Sequence, residues 1–391
     1  MCSGETRALR ELVGVAVFLA LGLTVSQRWL GRVRAGRFGR FFYLTGAEFL
    51  VLGLLLSPRI TGVLDRATLQ GLEPFVGLGL GYLGFVFGLQ FEATGLRRLP
   101  GRMFAASAAL NAVVLAALFG ALGWVLARGG DVPVPLAVAL AASGLGTSTT
   151  FLFLVDRHTS LGRNPTFRFL RFCSAFDDLW GVVLFGVALC WFVPGGWIRL
   201  AQTLGFALAS SVILLGAMGV ARTREAELPV LAGTVLFTGG LSAYAGLSPV
   251  LVNAVAGCIV ANVHPQARAA QDRLLRIEKP IYFLMLLVAG AWWGLLGGGA
   301  WLITAVYVAA RFGGKIAGGA AAGWVLNPSG GVRSVGWGVL AQSEMSVALM
   351  VNLMLLFPSH GVGDGAAAVL TGVIVNDLVS SAYYGWAYRK V

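Results

Sequence analysis

Ser174-Ala175-Phe176-Asp177-Asp178-Leu179-Trp180-Gly181 places two adjacent carboxylates near the middle of an apolar segment, 167–193. What surrounds that segment decides how the pair is read. Of 391 residues, 57% are hydrophobic and 12% are charged. A soluble domain carries about 25% charged residues, so most of this chain is expected to lie in lipid. The 55 glycines fit the same reading, because small residues let membrane helices approach closely. Two acids at mid-membrane cost a few kcal/mol each or more, and such groups are retained for use.

Working outward, about thirteen segments are apolar enough to cross a hydrocarbon core of roughly 30 Å. They are 11–26, 43–58, 72–91, 103–127, 134–155, 167–193, 200–220, 228–246, 248–263, 278–296, 299–323, 334–357 and 365–388. The first has no small-residue cleavage site and is read as a true span. With the N-terminus outside and loops alternating, 21 of the 29 Lys and Arg fall in inside loops and six outside, leaving Arg311 and Lys315 within a span. That asymmetry predicts an all-α polytopic membrane protein, N-out and C-in. The net charge of +12 therefore sets topology; no basic run is interleaved with aromatics, and nucleic acid is not expected as a partner. Cys2, Cys173, Cys190 and Cys258 show neither metal-ligand spacing nor a paired framework. The sequence ends at Val391 just after the last span, and no regulatory tail is expected.

The ionisable residues in or beside spans are Glu48, Glu92, Asp177, Asp178, Glu344 and Asp377, with Arg311 and Lys315 as bases. Adjacent residues on a helix point about 100° apart, so one carboxylate of the pair can face a water cavity while the other faces a partner helix. A desolvated carboxylate can hold either a proton or a metal ion, and that competition is the basis of ion–proton exchange. Lys315 is the natural partner of Asp177 or Asp178, and Arg311, one turn away on the same face, can substitute. Two segments look broken: 142–150, Ala-Ser-Gly-Leu-Gly-Thr-Ser-Thr-Thr, and 341–346, Ala-Gln-Ser-Glu-Met-Ser. Unwound backbone at membrane depth survives only inside protein or beside a cavity. Spans five and twelve run in opposite directions, as inverted repeats with two discontinuous crossing helices require. Asn376-Asp377-Leu378 in span thirteen echoes Asp177-Asp178-Leu179 in span six. Glu344 is read as serving the electrostatics of the second crossing helix, together with Ser343, rather than as an ion ligand.

These features together resemble the monovalent cation/proton antiporter superfamily, in its bacterial branch with paired aspartates. The likeness runs through residues 45–58, ending Gly53-Leu54-Leu55-Leu56-Ser57-Pro58, and through Gly88-Leu89-Gln90-Phe91-Glu92 followed by Leu96-Arg97-Arg98. It continues through Thr147-Ser148, Phe176-Asp177-Asp178 and Gly314-Lys315. Gln342-Ser343-Glu344 departs from the family's Arg-Gly-Glu in two of three residues. The resemblance implies a non-enzymatic secondary antiporter, most simply for sodium, without a cofactor and in a bacterial inner membrane. It implies that Asp178 binds cation or proton, that Asp177 pairs with Lys315 in one state, and that Thr147 and Ser148 add oxygen ligands; the transported monovalent cation would then be the metal at Asp178 and Asp177. It implies a homodimer, with 8–92 and 228–296 as dimerisation domain, 200–220 as linker helix, and 103–193 with 299–388 as translocating core. A regulatory subunit would be a separate chain.

Three other readings use the same residues. A potassium/proton antiporter or a sodium-coupled organic-anion carrier keeps the fold and changes the cargo. The altered Arg-Gly-Glu position allows a non-transporting subunit. Gly361-Val362-Gly363-Asp364 matches the Gly-x-Gly-Asp string of intramembrane aspartyl proteases, but no Pro-Ala-Leu string follows and the segment reads as a glycine-rich turn.

Overall fold

The computed structural model describes residues 46–128, 133–159, 164–192, 195–220, 224–293, 300–327, 335–358 and 362–387. The predicted span 11–26 lies outside them. Among the described residues there is no strand. The helices are α1 (Ala47–Leu56), α2 (Arg66–Gly88), the single turn α3 (Ala93–Leu96), α4 (Gly101–Ala127), α5 (Val134–Leu145) and α6 (Thr149–Thr159). They continue as α7 (Pro165–Phe192), α8 (Gly196–Val220), α9 (Arg224–Tyr244), α10 (Pro249–Val263) and α11 (Ala267–Trp292). The last four are α12 (Ala300–Leu326), the single turn α13 (Val335–Gly338), α14 (Glu344–Leu356) and α15 (Val362–Ala387).

Six stretches among the described residues are long and apolar enough to cross a membrane, with three shorter apolar helices beside them. The chain is a multi-pass membrane protein. The described part of predicted segment 278–296 falls mainly on the second half of α11, whose first half carries Arg268, Asp272, Arg273, Arg276, Glu278 and Lys279. Segment 299–323 falls on α12, where Arg311 and Lys315 interrupt the apolar run.

The described residues form two compact units, one from 48–91 and 203–293, the other from 92–202 and 300–387. The boundary falls inside α8. In the first unit, α2 starts at Asp65, whose side chain accepts the Thr68 N–H at 2.7 Å. Its glycines then face α10: a Cβ on Gly84 or Gly88 would overlap backbone of Val250 or Ala254, and one on Gly257 would overlap the Phe85 carbonyl. This reciprocal stripe allows backbone-to-backbone packing, as small residues do in membranes. Around it Tyr82, Phe85, Val86, Leu214, Val235, Val260 and Leu274 form a buried core, and the Tyr82 hydroxyl donates to the Leu274 carbonyl at 2.6 Å.

The second unit is built on α4, α7, α12 and α15, with two interrupted segments among them. Both breaks anticipated from the sequence are present. Segment 134–155 is α5 and α6, separated by Gly146-Thr147-Ser148, and 334–357 is α13 and α14, separated by residues 339–343. The Ser148 N–H donates to the Ala341 carbonyl at 3.0 Å, so one break is bonded directly to the other. Asp364, in the protease-like string, sits in the first turn of α15.

Candidate functional site: two carboxylates at crossed helix breaks

A helix break exposes carbonyls at one end and N–H groups at the other, and in lipid these need partners. The carbonyl ends of α5 and α13 are met by α12. Arg311, fully buried, donates from Nε to Gly144 O at 2.9 Å, from NH2 to Gly146 O at 2.7 Å and from NH1 to Leu340 O at 2.7 Å. One guanidinium thus holds both breaks. The sequence allowed it to stand in for Lys315 as a charge partner; its hydrogen bonds go to carbonyls, and it interacts electrostatically with Asp377, Asp177 and Asp178. Asp377, the echo of the aspartate pair, is itself buried.

The N–H ends are capped by serine. Ser148 Oγ accepts the Phe151 N–H of α6 at 3.1 Å, and Ser343 Oγ accepts the Ser346 N–H of α14 at 3.1 Å. Each capping hydroxyl also donates to a carboxylate: Ser148 to Glu344 Oε1 at 3.0 Å, Ser343 to Asp178 Oδ1. Negative side chains therefore gather at the positive ends of the half-helices and positive ones at the negative ends, as the helix dipole favours.

Asp177 and Asp178 are 0% and 5% exposed, and their surroundings differ. Asp177 Oδ2 receives the Thr147 hydroxyl at 2.6 Å and the Lys315 ammonium at 2.8 Å. Lys315 gives its other two protons to Thr147 Oγ1 at 2.9 Å and to the Leu145 carbonyl. Asp177 Oδ1 receives Asn111 Nδ2 at 2.9 Å and faces the Cys173 thiol at 3.3 Å. Asp178, among the described residues, receives the one bond from Ser343. Ser346 Oγ lies 3.5 Å from Ser343 Oγ. A Cβ on Gly146 would fall 2.5 Å from Ser343 Oγ, 2.6 Å from Asp178 Oδ1 and 2.7 Å from Ser346 Oγ, so this close approach of backbone to three side-chain oxygens requires glycine.

Thr147 and Ser148, anticipated as oxygen ligands beside the aspartate pair, bond to Asp177 and Glu344 respectively, and Ser343 touches Asp178. Asn111, Cys173 and Ser346 escaped the sequence reading. A lone carboxamide within the apolar run 103–127 was the available signal for Asn111.

No protein-family model matches the sequence, and no curated protein does. Solved structures do. One is the sodium proton antiporter MjNhaP1 from Methanocaldococcus jannaschii, at pH 8, which is 14% identical and superposes with a TM-score of 0.67 over 98% of this chain and 99% of that one. The chain has a sodium/proton antiporter fold. At this identity the likeness speaks to architecture, and the chemistry of the site rests on the residues described above.

Proposed function

We propose that the chain exchanges protons for a monovalent cation, sodium first among them, by alternating access across a membrane. One observation carries this reading: Asp178 is a buried carboxylate that, among the described residues, receives one hydrogen bond, and it is set among serine hydroxyls at the N-terminal end of a half-helix. Hard monovalent cations take oxygen ligands, and a proton takes the same carboxylate oxygen. Occupancy is exclusive, so a cation leaves when a proton arrives and the reverse. The antiporter fold supports the reading, since the structure it resembles is described as a sodium proton antiporter.

In this mechanism Asp178 holds cation or proton in turn, with Ser343 supplying a hydroxyl that can rotate from donating to the anion to offering its lone pairs to a cation. Asp177 and Lys315 hold the crossing together beside it. Arg311 keeps both breaks in register while residues 103–193 and 299–388 carry the site from one side to the other. The remaining helices, in 8–92 and 228–296, pair with a second copy, with 200–220 as the link, in a bacterial inner membrane.

The test is reconstitution in vesicles with a trapped pH-sensitive dye, an imposed proton gradient, and addition of sodium, lithium or potassium in turn. Rapid dequenching with sodium, absent in Asp178→Asn, is the expected result. Dequenching by potassium alone would assign the site to potassium, and silence with all three would overturn the reading. Exchange by competition at one carboxylate also varies with pH; a flat rate from mildly acid to alkaline pH counts against it.

A further inference from the structure

We propose that Asn111 is a positioning residue for the Asp177–Lys315 pair, clamping Asp177 from α4 so that Asp178 is the carboxylate left open to cation and proton; this rests on the exchange reading above. An ionised carboxylate offers about four lone-pair sites and an ammonium three protons. At Asp177 those sites meet Thr147 and Lys315 on Oδ2, and Asn111 and Cys173 on Oδ1. The three Lys315 protons are spent on Asp177, Thr147 and the Leu145 carbonyl. The pair is closed on both sides.

Asn111 is the member of this set from α4, and its environment shows what holds it. It is 3% exposed. Its second amide proton points to Ser107 Oγ at 3.4 Å, one turn earlier on the same helix, and Cys173 Sγ lies 3.6 Å from that same oxygen. Asn111 Oδ1 has no hydrogen-bond partner among the described residues. The carboxamide is thus oriented by its donor end: turning it over would place an oxygen against the Asp177 carboxylate. A buried group held by one charge-assisted bond is tied to that charge. Asn111, Cys173, Thr147, Asp177 and Lys315 all belong to the second unit, so a movement of that unit as a body leaves the clamp intact.

The experiment is a double-mutant cycle on the purified full chain, read by thermal unfolding, which needs no transport and so stands apart from the test of exchange. Asn111→Ala should lower the melting temperature by about 2–4 °C in the parent, and by much less in an Asp177→Asn background, where the charge it serves is gone. The variant N111D/D177N, which moves the carboxylate across the same hydrogen bond, should recover part of the stability lost in Asp177→Asn. In vesicles, Asn111→Ala should raise the cation KM several-fold while Asp177→Asn shows no further change on adding Asn111→Ala. An equal drop in both backgrounds, with no recovery in the swapped variant, would make Asn111 a packing residue and overturn the proposal.

Discussion

The interiors of the two units hold polar side chains of different kinds. In the first, the fully buried polar side chains among the described residues are neutral: Thr238 donates to Asn253 Oδ1 at 2.8 Å, and Ser242 and Ser248 bond to nearby backbone. In the second, Asp177, Asp178, Arg311, Lys315 and Asp377 are all buried, and among the described residues they are the charged side chains at that depth. Neutral groups satisfy one another cheaply and fasten helices. Charges in the same position require breaks, caps and counter-charges. The whole apparatus of interrupted helices in the second unit is what accommodates them. The first unit, whose α2 and α10 meet along glycines without interruption, has no such need.

Substitutions can break or sharpen this contrast. The largest effect falls on Asp178→Asn, expected to reduce exchange in vesicles to the protein-free background while the protein still folds. Lys315→Ala leaves a buried carboxylate without its cation and should destabilise by about 3–5 kcal/mol, seen as a large drop in the melting temperature; a parent-like melt would show that Asp177 is not held by charge. Gly146→Ala forces a methyl group against Asp178, Ser343 and Ser346 and should cost about 1–3 kcal/mol, with exchange impaired in proportion beyond the stability loss. Smallest is Asn253→Ala in the first unit: about 1 kcal/mol of stability, with the cation KM in vesicles unchanged. A raised KM there would erase the distinction between the two interiors.

The sequence made the architecture legible because membrane spans are written in hydropathy, and polar letters within them stand out. The two breaks, the aspartate pair and Lys315 were all visible as interruptions of apolar runs. What spacing does not encode is which interruption meets which. Asn111 and Asp177 are 66 positions apart, Ser148 and Glu344 196, and nothing in either stretch announces the other. Thr147 and Ser148 are neighbours, yet the turn after Gly146 sends one hydroxyl to Asp177 and the next to Glu344. In the sequence Arg311 reads as a charge near carboxylates, and its hydrogen-bonding fork serves carbonyls freed where two helices stop.

That fork has a consequence of its own. Gly144, Gly146 and Leu340 come from two different interrupted segments, and a single planar group grips all three. Neither half can slide, tilt or unwind alone without leaving a positive charge and a carbonyl stranded in an oily interior. The crossing is therefore mechanically one part, like two strands of rope under a single knot, and any motion of one break has to take the other with it.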